Sequence, residues 1–172
     1  PSEINYRANI DAMKQLGVTE LVSLSAVGSL EESVPPGTFV IVDQFVDKTY
    51  LRKKTFFEKG LVAHVSLADP TGKNMNCIIT DAAKESSIEI HENGVYVVIE
   101  GPQFSSKIES EIYRKWGCNV IGMTNMPEAK LAREAEICYS TIAMVTDYDC
   151  WHPSHDSVTV DMILQQMAKN VV

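Results

Sequence analysis

The chain has 172 residues, 15 Lys+Arg against 23 Asp+Glu, and a formal charge of −8. Its 45% hydrophobic and 22% charged residues are those of a globular protein and exclude long-range disorder. The acid excess argues against sequence-independent nucleic-acid binding, which needs a basic face, and no apolar run reaches the roughly 18 residues of a membrane span, so no membrane partner is expected.

The elements follow in chain order. Ser2 is placed to cap a helix over Glu3–Leu16, with Ile4, Ala8, Met13 and Leu16 on its apolar side and Gly17 at its end. Glu20–Ser25 is a short apolar run of strand length, and Gly28 and Ser29 fall in the loop behind it. Pro35-Pro36-Gly37 turns the chain into a strand over Phe39–Gln44. Leu61–Leu67 alternates apolar residues and predicts a strand, and Gly72–Glu85 predicts a helix. Ile88–Ile90 and Val95–Glu100 flank Glu92-Asn93-Gly94, whose Asn-Gly step predicts a hairpin. Ser106 and Glu109 fit a capping box. The helix behind them is expected to bury Ile108, Ile112 and Trp116 and to stop at Gly117. Asn119–Gly122 predicts a short strand, Pro127 the first turn of a helix through Glu134, and Ile137–Thr146 a long buried strand. Ser157 or Thr159 opens a last helix with Val160, Ile163, Leu164 and Met167 on one face.

Strands mixed with helices predict an α/β fold, with a mixed central sheet flanked by helices on both faces. Length fits one domain over residues 1–172. Both ends read as cut, so the domain is expected to be incomplete at each. The four cysteines (Cys77, Cys118, Cys138 and Cys150) are scattered and form no C-x-x-C pair. A reduced, cytoplasmic setting is the expectation.

In sheets of this class ligands sit beyond the carboxyl ends of the strands. Ser25-Ala-Val-Gly28-Ser29 suits either an anion held by backbone amides or a plain turn. Gly101-Pro102 forces a sharp turn whose exit residue, Phe104, could stack on a planar ligand or plug the sheet end. Met123 and Thr124 could pack on a sugar and donate to an anion, or belong to a strand–turn–helix junction. Asp147 and Asp149 end a hydrophobic strand. A carboxyl beside an apolar wall tends to hold its proton and can pass it to a ring nitrogen. A metal is disfavoured there, because no His lies at ligand spacing. The four histidines are dispersed, and no P-loop, G-x-G-x-x-G or G-x-S-x-G is present.

Taken in order, Ser25-Ala-Val-Gly-Ser-Leu30, Pro36-Gly-Thr-Phe-Val-Ile-Val-Asp-Gln-Phe45, Val98-Ile-Glu-Gly-Pro-Gln-Phe-Ser105, Val120-Ile-Gly-Met-Thr-Asn-Met-Pro-Glu128 and Thr146-Asp-Tyr-Asp-Cys-Trp151 resemble the purine nucleoside phosphorylase family. The similarity is nearest its 5′-methylthioadenosine phosphorylase branch. The resemblance implies a homotrimer that cleaves a nucleoside's glycosidic bond with inorganic phosphate as co-substrate and needs no metal or organic cofactor. It implies phosphate contacts from Ser25, Ala26 and Thr124. It places Met123 under the ribose, with Val27, Gly28, Phe104 and Ser105 around the nucleoside. Asp147 and Asp149 would face the purine, one near N7 and the other near the 6-amino side. Val160, Ile163 and Leu164 would line the pocket for the 5′ substituent, and His64 would reach a neighbouring subunit's site. Two carboxylates suit an adenine, whose 6-amino group donates. The expected reaction is phosphorolysis of 5′-methylthioadenosine. A general purine nucleoside phosphorylase and a non-catalytic nucleoside-binding homologue are the alternatives. The family's first strand, its Gly-rich phosphate loop and its Arg-His phosphate motif would precede Pro1, so the natural chain is expected to be longer.

Overall fold

The computed structural model describes residues 1–153 and 160–170; the expected helix start at Ser157 or Thr159, and the side chain of Val160, lie outside the described residues. The elements run α1 (Tyr6–Gln15), β1 (Glu20–Ser29), β2 (Phe39–Asp47), α2 (Lys73–Glu85), β3 (Ile90–Val98), α3 (Lys107–Lys115), β4 (Val120–Gly122), α4 (Glu128–Glu134), β5 (Cys138–Asp147) and α5 (Val160–Asn170). The strands form the expected mixed sheet, and it closes on itself in the order β1-β4-β3-β2-β5. β1 lies parallel to β5, and β3 lies parallel to both β2 and β4. The β1–β4 and β2–β5 seams are antiparallel. Helices flank this sheet: α2 packs on β2, β3 and β5, α4 and α5 pack on β5, and α1 packs on α4.

The core follows from the strand residues. Val27, Val40, Val42, Val98, Val120, Ala143 and Val145 point into one cluster, closed by Tyr6 and Ile10 of α1 and by Leu131 of α4. A smaller cluster gathers Leu30, Val97, Ile99, Tyr113, Cys118 and Ile121.

Six expectations change. Asn5, not Ser2, caps α1, its side chain accepting from the Ala8 amide; Ser2 donates instead to Glu100. The buried face of α1 is Tyr6 and Ile10, while Leu16 is 83% exposed. β1 runs on through Gly28 and Ser29, so Ser25–Ser29 is strand and not loop. Leu61–Leu67 forms no strand, and Leu61, Val62 and Val65 are exposed. A strand needs an edge to pair with, and a closed sheet offers none. The Asn93-Gly94 step makes no hairpin. Asn93 does take the left-handed conformation, φ +60°, but it serves a bulge within β3, whose register on β2 shifts there. Finally, α3 turns Ser110 and Tyr113 inward and leaves Ile108, Ile112 and Trp116 exposed. Tyr113 fills the smaller cluster, and Arg114 fixes the rotation by donating to the Leu30 carbonyl at 3.0 Å and stacking 3.6 Å from the Trp151 ring.

Candidate active site

The β1–β4 seam pairs Gly28 with Ile121 and Ser29 with Val120. That antiparallel register, continued past β4, puts Ser25 opposite Thr124. Their hydroxyl oxygens lie 2.5 Å apart. The neighbouring parallel seam carries an irregularity: Val27 pairs with Val145 but Gly28 with Asp147, leaving Thr146 as an extra residue. Buried and half-buried residues alternate from Thr141 to Val145; the alternation breaks here, and Val145, Thr146 and Asp147 are all buried. A bulge re-aims side chains in this way.

The bulge delivers both carboxylates. Asp147 Oδ1 accepts from the Asp149 amide at 2.8 Å, and its Oδ2 is 2.7 Å from the Thr146 hydroxyl. This Asx-type turn holds Asp149 at φ +51°, a conformation that costs a non-glycine residue energy and often marks a functional position. Burial raises the Asp147 carboxyl above its ordinary range, against hydrogen bonds from Thr146 and the Asp149 amide. Burial also raises Asp149, opposed by Ser110 and the Cys150 amide and reinforced by the Asp147 charge. Both groups are therefore biased toward the protonated form that can donate to a ring nitrogen. The turn fits only beside a glycine, since a Cβ on Gly28 would lie 2.9 Å from Asp147 Oδ1.

These groups surround a cavity of about 180 Å³. β1 contributes Ala26, Val27 and Gly28 to its wall. The turns after β3 and β4 contribute Phe104, Ser105, Met123 and Thr124. Asp147, Asp149 and, from α5, Ile163 complete the expected residues on the wall. Ser25 joins through Thr124. A wider hollow of about 590 Å³ next door shares Ile99, Phe104 and Ser105, so the half-exposed Phe104 ring is a partition between the two. Leu164 is 58% exposed and is not on the cavity wall; His64 is exposed and is not on it either. Val160 cannot be placed, its side chain lying outside the described residues.

The sequence reading missed Ile99, Ile121, Gly122 and Thr146 on the wall, and Tyr96 behind it, within reach of Ser25 and Thr124. A lone phenol inside the aliphatic run Val95–Ile99 was the available signal, because a buried Tyr hydroxyl needs a partner. Among the described residues no group of three or more His, Cys, Asp or Glu could hold a metal ion, and no helix is long and apolar enough to cross a membrane.

Comparison with known proteins supplies the family. S-methyl-5′-thioadenosine phosphorylases of Rhodospirillum rubrum and Cereibacter sphaeroides are 59% and 57% identical over 170 residues, covering 99% of this chain. The chain spans only 58% and 59% of their lengths. Among solved structures, methylthioadenosine phosphorylase from Schistosoma mansoni in complex with adenine superposes with a TM-score of 0.95 at 41% identity, over 99% of this chain and 66% of that one. A methylthioadenosine phosphorylase from an antarctic soil metagenomic library gives 0.93 at 53% identity, over 99% and 60%. The phosphorylase superfamily model matches residues 1–171, and the chain belongs to that family.

Proposed function

We propose that the protein containing this chain cleaves 5′-methylthioadenosine with inorganic phosphate, releasing adenine and 5-methylthioribose 1-phosphate. One observation carries the reading. A buried carboxyl pair, Asp147 and Asp149, shares a cavity wall with Thr124, whose hydroxyl meets that of Ser25. The glycosidic C1′–N9 bond breaks and its electron pair goes to the purine. A phosphate oxygen forms the new bond at C1′. One carboxyl of the pair relieves the purine's charge by giving a proton to N7. Ser25, Ala26 and Thr124 hold the phosphate, and Met123 and Phe104 flank the sugar. Donors and acids fixed in advance, away from water, usually make the largest catalytic contribution. Ile163 would meet the 5′-thioether, a contact worth about 1 kcal/mol per buried methyl.

Inorganic phosphate is thus a co-substrate, with no metal or organic cofactor in the scheme, and the setting is cytoplasmic. A homotrimer belongs to the same reading, with His64 reaching a neighbouring subunit's site. The apolar side chains left exposed on α3 support an assembly.

The test is adenine release from 5′-methylthioadenosine, with and without phosphate, on the longest natural form of the chain. Release only with phosphate is expected. Release without it would make water the nucleophile and overturn the phosphate assignment. Preference for inosine would indicate the general purine enzyme, and binding without turnover a non-catalytic homologue.

A further inference from the structure

Three hydroxyls meet behind the cavity. Tyr96 Oη lies 3.3 Å from Ser25 Oγ and 3.2 Å from Thr124 Oγ1, and the latter two are 2.5 Å apart. Thr124 also donates to Asn125 Oδ1 at 3.0 Å. Asn125 is wholly buried, and its amide nitrogen is directed to Tyr139 at 2.7 Å and Thr141 at 2.6 Å. Its Oδ1 is thereby left to accept from Thr124.

Each hydroxyl has one proton. With the Thr124 proton on Asn125, the Thr124 oxygen needs a donor from the nook. Without an anion, Ser25 can supply it. An arriving phosphate is an acceptor, so the Ser25 and Thr124 protons both turn toward it, and the Thr124 oxygen loses its donor. Tyr96 has no access to solvent and stands within reach to replace Ser25. Burial raises its phenol further, despite Ser25 and Thr124 beside it, so it keeps its proton at neutral pH.

The surroundings are built for this hydroxyl. Tyr96 sits on β3 with its ring tilted against Phe45, centroids 5.8 Å apart. Residue 122 on the adjoining strand is glycine, and a Cβ there would collide with the Tyr96 oxygen. We infer that Tyr96 is a positioning residue for the anion: its hydroxyl takes over donation to Thr124 and frees the Ser25 proton for the phosphate. This rests on the phosphorylase reading above.

The test is steady-state kinetics of the longest natural form and of Tyr96→Phe, with phosphate and nucleoside varied separately. Tyr96→Phe removes one oxygen and keeps the ring. The expected result is a rise of about tenfold in KM for phosphate, the scale of one hydrogen bond to a charged group. KM for the nucleoside and Tm should stay unchanged. Gly122→Ala should raise KM for phosphate in the same direction by displacing the oxygen. In the Tyr96→Phe background it should add little. An unchanged phosphate KM in Tyr96→Phe, in an enzyme whose wild type needs phosphate, would overturn the inference alone. So would a lowered Tm with both KM values unmoved, which would mark a packing role. Should Tyr96→Phe fail to fold, Gly122→Ala decides by the same split. Wild-type turnover without phosphate would overturn the underlying reading instead.

Discussion

Thr146 has one proton and two acceptors in reach. Its hydroxyl lies 2.7 Å from Asp147 Oδ2 and 3.1 Å from the Val27 carbonyl. An ionised Asp147 competes with that carbonyl for the proton. A neutral one can donate to Thr146 and let both contacts be hydrogen bonds. Asp147→Asn should therefore fit: Oδ1 still accepts from the Asp149 amide, and the new N–H₂ donates to Thr146. Burial raises the folded carboxyl, so its penalty is full above the folded pKa and vanishes below the unfolded one. The variant should be more stable than wild type in urea at neutral pH, and the gain should disappear near about pH 3. Its preference should move from 6-amino toward 6-oxo purines by roughly tenfold, since the amide nitrogen is a fixed donor where the carboxyl can also accept. No change in preference would exclude Asp147 from base recognition.

At the scale of elements, α3 sets the angle of the loop before it. Ser106 Oγ accepts from the Glu109 amide at 3.4 Å, and Glu109 accepts from the Ser106 amide at 2.8 Å. This box was legible because it depends only on residues three apart. The cavity-wall segments behind β3, β4 and β5 were legible for a related reason: each lies at or just after a strand end, whereas Ala26, also on the wall, sits within β1. Which face of a helix is buried was not legible. Ile108, Ile112 and Trp116 make as regular a stripe as any core face, yet Tyr113 is the side chain turned inward. That choice depends on Leu30 and Trp151, which are distant in sequence and hold Arg114. The bulge at Thr146 was hidden for the same reason, since it exists only as a mismatch between two strands. Ser106→Ala should cost about 1 kcal/mol in chemical denaturation. Because Ser105 lies on the cavity wall, KM for the nucleoside should rise as well, with KM for phosphate unaffected. A loss of stability with both KM values fixed would show that the cap does not orient the loop.

At the scale of the whole molecule, the described carboxyls that the fold shifts form two opposed sets. Burial alone would raise Asp47, but Lys130, Thr49 and Lys54 outweigh it and hold it at about 2. Lys54 and Lys130 reach it at 3.0 and 2.5 Å, so it ties the end of β2 to the following loop and to α4. Burial likewise opposes Glu100, yet Ser2, the Tyr50 and Leu51 amides and Arg52 hold it at about 2. Asp147 and Asp149 are raised instead, as is Glu128, where burial outweighs the Asn125 amide, Tyr139 and Arg52. For the raised set, stability increases as pH falls toward the unfolded carboxyl range, because the folded state takes up protons first. For the lowered set, stability is present above the unfolded pKa and is lost as pH falls through the folded one. The two limbs cross near about pH 4, where unfolded carboxyls titrate. Stability should therefore peak on the acid side of neutrality and fall steeply below. Asp47→Asn keeps the shape but removes the charge that Lys54 and Lys130 approach. At neutral pH it should cost about 2 kcal/mol, the worth of a carboxyl held nearly two units low. Urea denaturation of wild type and variant from about pH 2 to pH 8 reads both limbs, and the difference between them should close as pH falls. A constant difference across that range would mean that Asp47 contributes through hydrogen-bond geometry and not through its charge.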